Sequence, residues 1–569
     1  MNNWLVTCIL DSSQRPVIPY ATGEGFDVLH CGPVSAYYHR DGRFCQDQLF
    51  AANETGLVIS DGVLLNLSEL KDFCSVDDLS QIIQYLWEEK GCRYFESFIG
   101  PFSGAVYDAA QNILTAYGNQ TGDAPVFYYQ NEFCILVSND LNMIESVMAA
   151  NNYPRTLDET AAMYLLTFSY MVDDRTLFQE IKRLLPGDYL TVVNGRLTVS
   201  TYCRFSFEPK DISFDDAVEQ VDAAFRKAVK RCFSKDAEYH TPCHLVDLSG
   251  GLDSRMTAWV AHDMGYAPAA YLNFCQFGSD ELRYASKVAE TLGGQLFYKQ
   301  LNDASFIYEI DRLIDRNYGV SLCLGSTGSD QFLRMLNTEQ FGLEHTGQLG
   351  DVIIGSYGSP NAQLDSSVWK NLQYSGLLPF VPNNKTLERY HTFEEFAIYA
   401  RGFNGILASH LIRRHNAYVV SPYIDPEFIQ LCESIPLEYR ADHKLYWAWL
   451  DRKYPEAGRL PSTRIRSNTK TFALRCCRYG YRKLGKLARQ IGLVKTGLVP
   501  NNMNPFDYWY ESKPELRTFL ETYYQETFSL LKEYPELSQN VTVLYASDRT
   551  MDKLLAINLL AAMKRYFYR

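Results

Sequence analysis

No apolar run in these 569 residues approaches the roughly 20 needed to span a bilayer, so no transmembrane helix is expected. An excess of positive charge is also missing. The formal net charge is −13, and nucleic acid, whose phosphates demand clustered basic surface, is not an expected partner. The start, Met1-Asn2-Asn3-Trp4, has neither the basic nor the apolar segment of a secretion signal. The 14 cysteines form no CxxC pair and no zinc spacing, so they are read as reduced thiols of a cytoplasmic protein. Low-complexity tracts are absent as well. What is present is an ordinary globular composition, 46% hydrophobic and 21% charged, in a chain too long for one core; two large domains are expected.

The first two hundred residues alternate short apolar segments with Gly, Asn and Asp clusters: Gly56 to Ser60, Gly104 to Asp108, Asn112 to Tyr117, Val126 to Tyr129 and Phe133 to Ser138. That pattern predicts antiparallel sheet. Leu79, Ile82, Ile83, Leu86 and Trp87 recur at helical spacing and predict a helix over 77–89. Tyr189 to Val193 and Arg196 to Ser200 flank Asn194-Gly195, the signature of a tight hairpin. A polar linker near 207–214 precedes an amphipathic helix over 215–233. The grammar then changes to strand 244–248, helix 253–264, strand 269–274, helix 280–292 and strand 295–299, a βαβαβ order that implies a parallel sheet. From about residue 380 helices dominate. The basic stretch Phe472 to Lys495 reads as a solvated helix face, with contact to an anionic surface as the sharper alternative.

Ser249-Gly250-Gly251-Leu252-Asp253-Ser254 lies between the strand His244–Leu248 and the helix that follows. A strand that turns on two glycines into a helix aims free N–H groups and the positive helix end at one point, a geometry that binds phosphate. Gly250 and Gly251 admit close approach of the anion, Ser249 and Ser254 add hydroxyls, and Asp253 suits a Mg²⁺ that bridges phosphate oxygens.

This order of parts resembles the asparagine synthetase B family over nearly the whole chain. Residues 249–254 are similar to its pyrophosphate loop, Ser279-Asp280-Glu281 with Lys287-Val288-Ala289 to its second helix, and Thr346-Gly347-Gln348-Leu349-Gly350-Asp351 to its second phosphate loop. Pro422-Tyr423-Ile424-Asp425 resembles its Pro-Phe-Leu-Asp, and Thr176 to Gly187 the stretch that ends its first domain. The resemblance implies an α/β protein: an N-terminal Ntn-hydrolase-like αββα sandwich over 1–205, then, over 215–569, a parallel-sheet ATP-pyrophosphatase domain of the adenine-nucleotide α-hydrolase-like (PP-loop) type with a helical C-terminal part. It implies a carboxylate activated by ATP and Mg²⁺ as an acyl-adenylate and captured by an amine. Leu248, Ser249, Gly250, Gly251, Asp253, Ser254, Phe274, Thr346 and Gly347 are expected around ATP and pyrophosphate, with Asp253 and Asp351 on the metal. Lys470, in Asn468-Thr469-Lys470-Thr471-Phe472, is the candidate catalytic lysine, ahead of Lys444. Assembly as a homodimer is left open.

Departures from the family are as informative. Its glutaminase uses an N-terminal cysteine exposed by removal of Met1, but residue 2 is Asn2. Asp61-Gly62-Val63 replaces Asn-Gly-Glu, and Asn119 replaces a carboxylate. Three losses predict a retained fold without glutamine hydrolysis. In the second loop Gln348 and Val352 replace acidic residues, which weakens the case for aspartate as substrate. The leading reading is a glutamine-independent amide-forming ligase for a small-molecule or peptide carboxylate. An ammonia-dependent asparagine synthetase and a non-catalytic ATP-binding scaffold are the alternatives.

Overall fold

A computed structural model describes residues 2–21, 25–238, 241, 243–359, 362–463 and 502–568. Two six-stranded antiparallel sheets fill the N-terminal part. One runs in the spatial order Ile181–Arg183, Phe127–Gln130, Cys134–Ser138, Asn3–Ile9, Val34–His39, Asp27–Cys31. The other runs Arg196–Thr201, Asp188–Val193, Ile113–Gly118, Phe102–Asp108, Gly56–Gly62, Leu49–Ala52. Side chains alternate across each strand, and the sorting is visible residue by residue. Trp4 and Val6 face the layer between the sheets, where they meet Leu57, Ile59, Ala105 and Leu114, while Leu5 points outward. Each Leu, Ile or Val sealed in this layer contributes about 1.5–3 kcal/mol.

Helices cover both outer faces. Leu67–Cys74 and Leu79–Lys90 set Leu70, Ile82 and Leu86 against Val106 and Tyr117 of the second sheet. Leu141–Ala150 and Glu159–Phe168 cover the first, in the core cluster that includes Leu5 and Leu136. The result is the expected αββα sandwich. The helix predicted from residue 77 begins at Leu79 because the Asp78 side chain accepts the Gln81 N–H as its cap. The hairpin turn has φ of 50° at Asn194 and 76° at Gly195, the positive values that such a two-residue turn requires.

The helix Phe214–Ala237 is capped by Ser213, carries Asp215 and Asp216 in its first turn, and buries Val218, Val221, Phe225, Ala228 and Val229. It runs four residues past the predicted end. Its last turn is held by polar pairs instead of an apolar stripe: Lys235 reaches Asp47 at 2.6 Å, and Asp236 accepts hydrogen bonds from His244 Nδ1 at 2.5 Å and His345 Nε2 at 2.8 Å.

A five-stranded, all-parallel sheet follows, ordered Gln295–Gln300, Ala269–Cys275, His244–Asp247, Glu344–His345, Val419–Val420. The chain builds outward in one direction from His244–Asp247 and then in the other, so the strand order reverses between that strand and Glu344–His345. Ligands of open α/β sheets bind at such a switch point, beyond the carboxyl ends of the strands. Helices complete the C-terminal part. The last, Thr550–Tyr566, returns to the sandwich, where the Tyr566 ring lies 5.4 Å from Phe178. Among the described residues no helix is long and apolar enough to cross a membrane, and 12 cysteines are all free thiols.

Candidate active site

At the switch point the chain leaves His244–Asp247, turns through residues 248–252 and enters the helix Asp253–Asp263. The segment from Thr346 to Asp351 leaves the neighbouring strand, and its glycines seat it against the first turn. A Cβ on Gly347 would overlap the backbone of Asp253 and Ser254. A Cβ on Gly350 would lie 2.7 Å from Asp253 Cβ and 2.9 Å from Asp253 Oδ1, closer than side chains approach. Two segments almost a hundred residues apart thus touch.

An open cleft of about 270 Å³ lies beside this contact. Of the residues expected around a nucleotide, Leu248, Ser249, Asp253, Ser254, Phe274, Thr346 and Gly347 line it. Gly250 and Gly251 form the turn but do not line the space. The Gly250 N–H donates to the Glu281 carboxylate, and the Gly251 N–H to Ser249 Oγ at 3.1 Å. Ser254 Oγ accepts the Ser249 N–H at 2.9 Å and lies 2.8 Å from Ser249 Oγ. The first turn is therefore braced by its own hydroxyls and by one carboxylate from the helix Asp280–Thr291. Burial pushes that Glu281 carboxyl above its ordinary value.

Asp253 is oriented by two buried tyrosines. Tyr446 Oη donates to Asp253 Oδ1 at 2.8 Å, and Tyr423 Oη donates to the Asp253 carbonyl at 3.3 Å and lies 3.2 Å from Tyr446 Oη. Burial pushes both hydroxyls well up, and the Asp253 charge pushes them further. The Asp351 charge also acts on Tyr423, so both expected metal-binding carboxylates bear on one hydroxyl. Asp351 itself stands just before the turn Val352–Ser356 and does not line the cleft. Lys470 and the basic stretch 472–495 lie outside the described residues. Lys444 is exposed, donates to the Glu438 carbonyl at 3.2 Å and has no place in the cleft.

Sequence reasoning missed the polar wall of the cleft. Asp247 and Arg413 both line it, and the Arg413 guanidinium donates to Asp247 and to Glu344. One guanidinium cannot neutralise two carboxylates. Burial, with the Asp247 charge added, pushes Glu344 up to about 8 despite Arg413. A charged residue inside the otherwise apolar run His244-Leu245-Val246-Asp247-Leu248 was the available signal. Gln348 and Ser409 complete the wall and are joined by a 2.9 Å hydrogen bond.

The residues expected to stand in place of a glutaminase set also come together. Asn2 Nδ2 donates to Asp61 Oδ1 at 2.6 Å, Asn139 Nδ2 to Asp61 Oδ2 at 3.1 Å, and burial pushes Asp61 up to about 6. Gly62, at φ 118°, packs against the Pro101 carbonyl, which accepts the Val63 N–H at 3.0 Å. Asn119 Nδ2 lies 2.6 Å from Asp123 Oδ1, and Asp123 Oδ2 accepts His410 Nδ1 at 3.3 Å from the other half of the chain. The space left between Asn2, Asp61, Asp123 and Arg414 is about 40 Å³, room for two or three waters.

A sandwich of two antiparallel sheets followed by a parallel sheet with paired loops at its switch point defines a protein that couples an amidotransferase-type domain to a nucleotide-type domain. Residues 51–203 match the family described as Glutamine amidotransferase domain, and residues 220–401 match Asparagine synthase. The chain belongs to the asparagine synthetase-like family. It is 26% identical over 329 residues to the glutamine-hydrolyzing asparagine synthetase 2 of Bacillus subtilis (strain 168), covering 51% of this chain and 43% of that protein. It is 26% identical to asparagine synthetase 3 of the same organism, covering 37% of this chain and 34% of that protein. A putative asparagine synthetase of Methanocaldococcus jannaschii is 21% identical over 70% of this chain and 68% of its own length. The match thus spans less than half the length of the two Bacillus relatives.

Proposed function

We propose that the chain is an ATP-dependent, AMP-forming carbon–nitrogen ligase that activates a carboxylate and passes it to an amine without hydrolysing glutamine. The observation that carries this reading is the contact between the turn 249–254 and the loop 346–351 beside an open cleft at the sheet's switch point. In the reaction, a carboxylate oxygen attacks the α-phosphorus of ATP, the bond to pyrophosphate breaks and pyrophosphate leaves. The amine then attacks the acyl carbon, AMP leaves with the bonding pair, and the nitrogen loses a proton.

The residues of the cleft suit these roles. Charge accumulates on the departing pyrophosphate, and the start of the helix Asp253–Asp263 with the Ser249 and Ser254 hydroxyls supplies donors there. Leu248, Leu272 and Phe274 give an apolar wall for the base. A hard divalent cation such as Mg²⁺ takes oxygen ligands, and Asp253 and Asp351 offer carboxylates on segments that touch. When bound, Mg²⁺ would neutralise charge on the phosphate oxygens. Tyr446 holds Asp253 in place for that task. Lys470 is proposed to follow charge on the transferring group.

Absence of glutamine hydrolysis is supported by Asn2 in place of a cysteine, by its bond to Asp61, and by a remaining space of about 40 Å³. The N-terminal part, divided from the rest between residues 205 and 215, is proposed to be retained for structure. The direct test is exchange of labelled pyrophosphate into ATP with a panel of carboxylates. Exchange is expected with at least one acid and should fall about 10²–10³-fold in Asp253→Ala. Silence across the panel, with ATP bound, would remove the ligase reading.

A further inference from the structure

A second cavity, about 310 Å³, opens against the first and shares Gln348, Ser326 and Ser409 with it. Its walls are largely apolar, with Phe168, Tyr170, Tyr374 and Ile406 among them. Among the described residues Arg401 is its one formally charged lining residue, and no Asp, Glu or Lys lines it. Two buried polar atoms at its wall, Tyr170 Oη and Gln348 Oε1, have no partner among the described residues. Tyr170 is nine-tenths or more buried, and its ring packs against the backbone at Gly405, where a Cβ would lie 2.9 Å from Tyr170 Cδ1.

These features select a ligand class. A cavity of about 150 Å³ accommodates a benzene ring, so the volume here suits a ring with a side arm. A carboxylate in the cavity needs a counter-charge, and Arg401, exposed at its rim, supplies one. An α-ammonium group would find no carboxylate among the described lining residues and would face the Arg401 cation, an arrangement that disfavours its binding. Asp247 and Asp253 in the adjoining cleft are already bonded to Arg413 and Tyr446, and the Asp552 charge, which bears on Tyr374 from outside the lining, faces Arg549.

We infer that the second cavity holds the acyl substrate, and that this substrate is an aromatic carboxylic acid without an α-ammonium group. The inference rests on the ligase reading for the meaning of the adjoining cleft, but not for the binding itself. Tyr170 is placed to donate a hydrogen bond to an acceptor on the acid. The shared wall at Gln348 and Ser409 lets the carboxyl end reach the nucleotide.

The probes are 3-phenylpropanoate and L-aspartate, presented to the full chain with a non-hydrolysable ATP analogue. Saturation-transfer NMR reads binding and pyrophosphate exchange reads chemistry. Phenylpropanoate should show ring-proton transfer and aspartate none. Binding should weaken at least tenfold both in Ile406→Trp, which fills the cavity, and in Arg401→Gln, a surface change that keeps the fold if the first does not. Affinity for the ATP analogue should stay within about twofold. Preference for aspartate, or phenylpropanoate binding that neither variant alters, would overturn the inference. Ring transfer that both variants abolish, with no exchange for any acid, would support the cavity while contradicting the ligase reading.

Discussion

Arg413 carries two carboxylates at the edge of the cleft, and the arrangement has measurable consequences. Removing Arg413 leaves the Asp247 charge uncompensated, so Arg413→Met should cost about 3–5 kcal/mol in denaturant unfolding, against less than about 1 kcal/mol for an exposed pair such as Arg283–Asp280. The proton on Glu344 gives a second signature. Burial, with Asp247 beside it, raises its folded value to about 8, whereas the unfolded chain titrates near 4.5. Between these values the folded state binds more protons, so stability contributed by protonated Glu344 is complete below 4.5 and is lost as pH rises toward 8. Glu344→Gln should flatten that slope in melting temperature against pH. An unchanged slope would mean that Glu344 is ionised throughout.

At the scale of elements, the proposed chemistry depends on one loop resting on another. Gly347→Ala places a methyl group into the Asp253–Ser254 backbone. It should weaken binding of an ATP analogue more than about tenfold, equal to about 1.4 kcal/mol, while circular dichroism stays native. Equal affinity would show that the loops need not touch. The turn 249–254 was legible because strand, glycine pair and helix are contiguous, and the βαβαβ order announced the parallel sheet. Asp351 entered the reading only through the family pattern, since nothing local separates it from a capping aspartate, and its metal role remains a proposal. The wall of Asp247, Glu344 and Arg413 was not legible as a unit. Its members sit on two strands and a distant short helix, Ser409–Arg413, and only the tertiary fold assembles them. The end of Phe214–Ala237 was misjudged for a related reason: ion pairs, which have no period, hold its last turn.

Over the whole molecule, the sandwich and the parallel-sheet part are joined by buried polar bonds. Lys235 meets Asp47 at 2.6 Å with both side chains 1% exposed, His410 reaches Asp123, and at the rim Arg231 reaches the half-exposed Glu69 at 2.7 Å. Lys235→Met should lower stability by about 3–5 kcal/mol and lower the melting temperature of both parts together, because the lost bond belongs to both. Two separated transitions, with only one shifted, would contradict a shared interface. The site around Asn2 and Asp61 is continuous with this interface through Asp123, Asn139 and Arg414, which fits the proposed role in holding the halves together. Incubation with glutamine should accordingly release no glutamate above the rate without protein, and Asn2→Asp should destabilise the chain by setting a second buried carboxylate against Asp61.

The proposal as a whole requires that the segments 248–254 and 346–351 close on one triphosphate. Hydrogen–deuterium exchange with and without a non-hydrolysable ATP analogue and Mg²⁺ reads both segments in one experiment. The account predicts that their amides gain protection together, at the same ligand concentration, and that Asp253→Ala abolishes both gains. Protection of one segment alone, or none at concentrations where the analogue is bound, would contradict it.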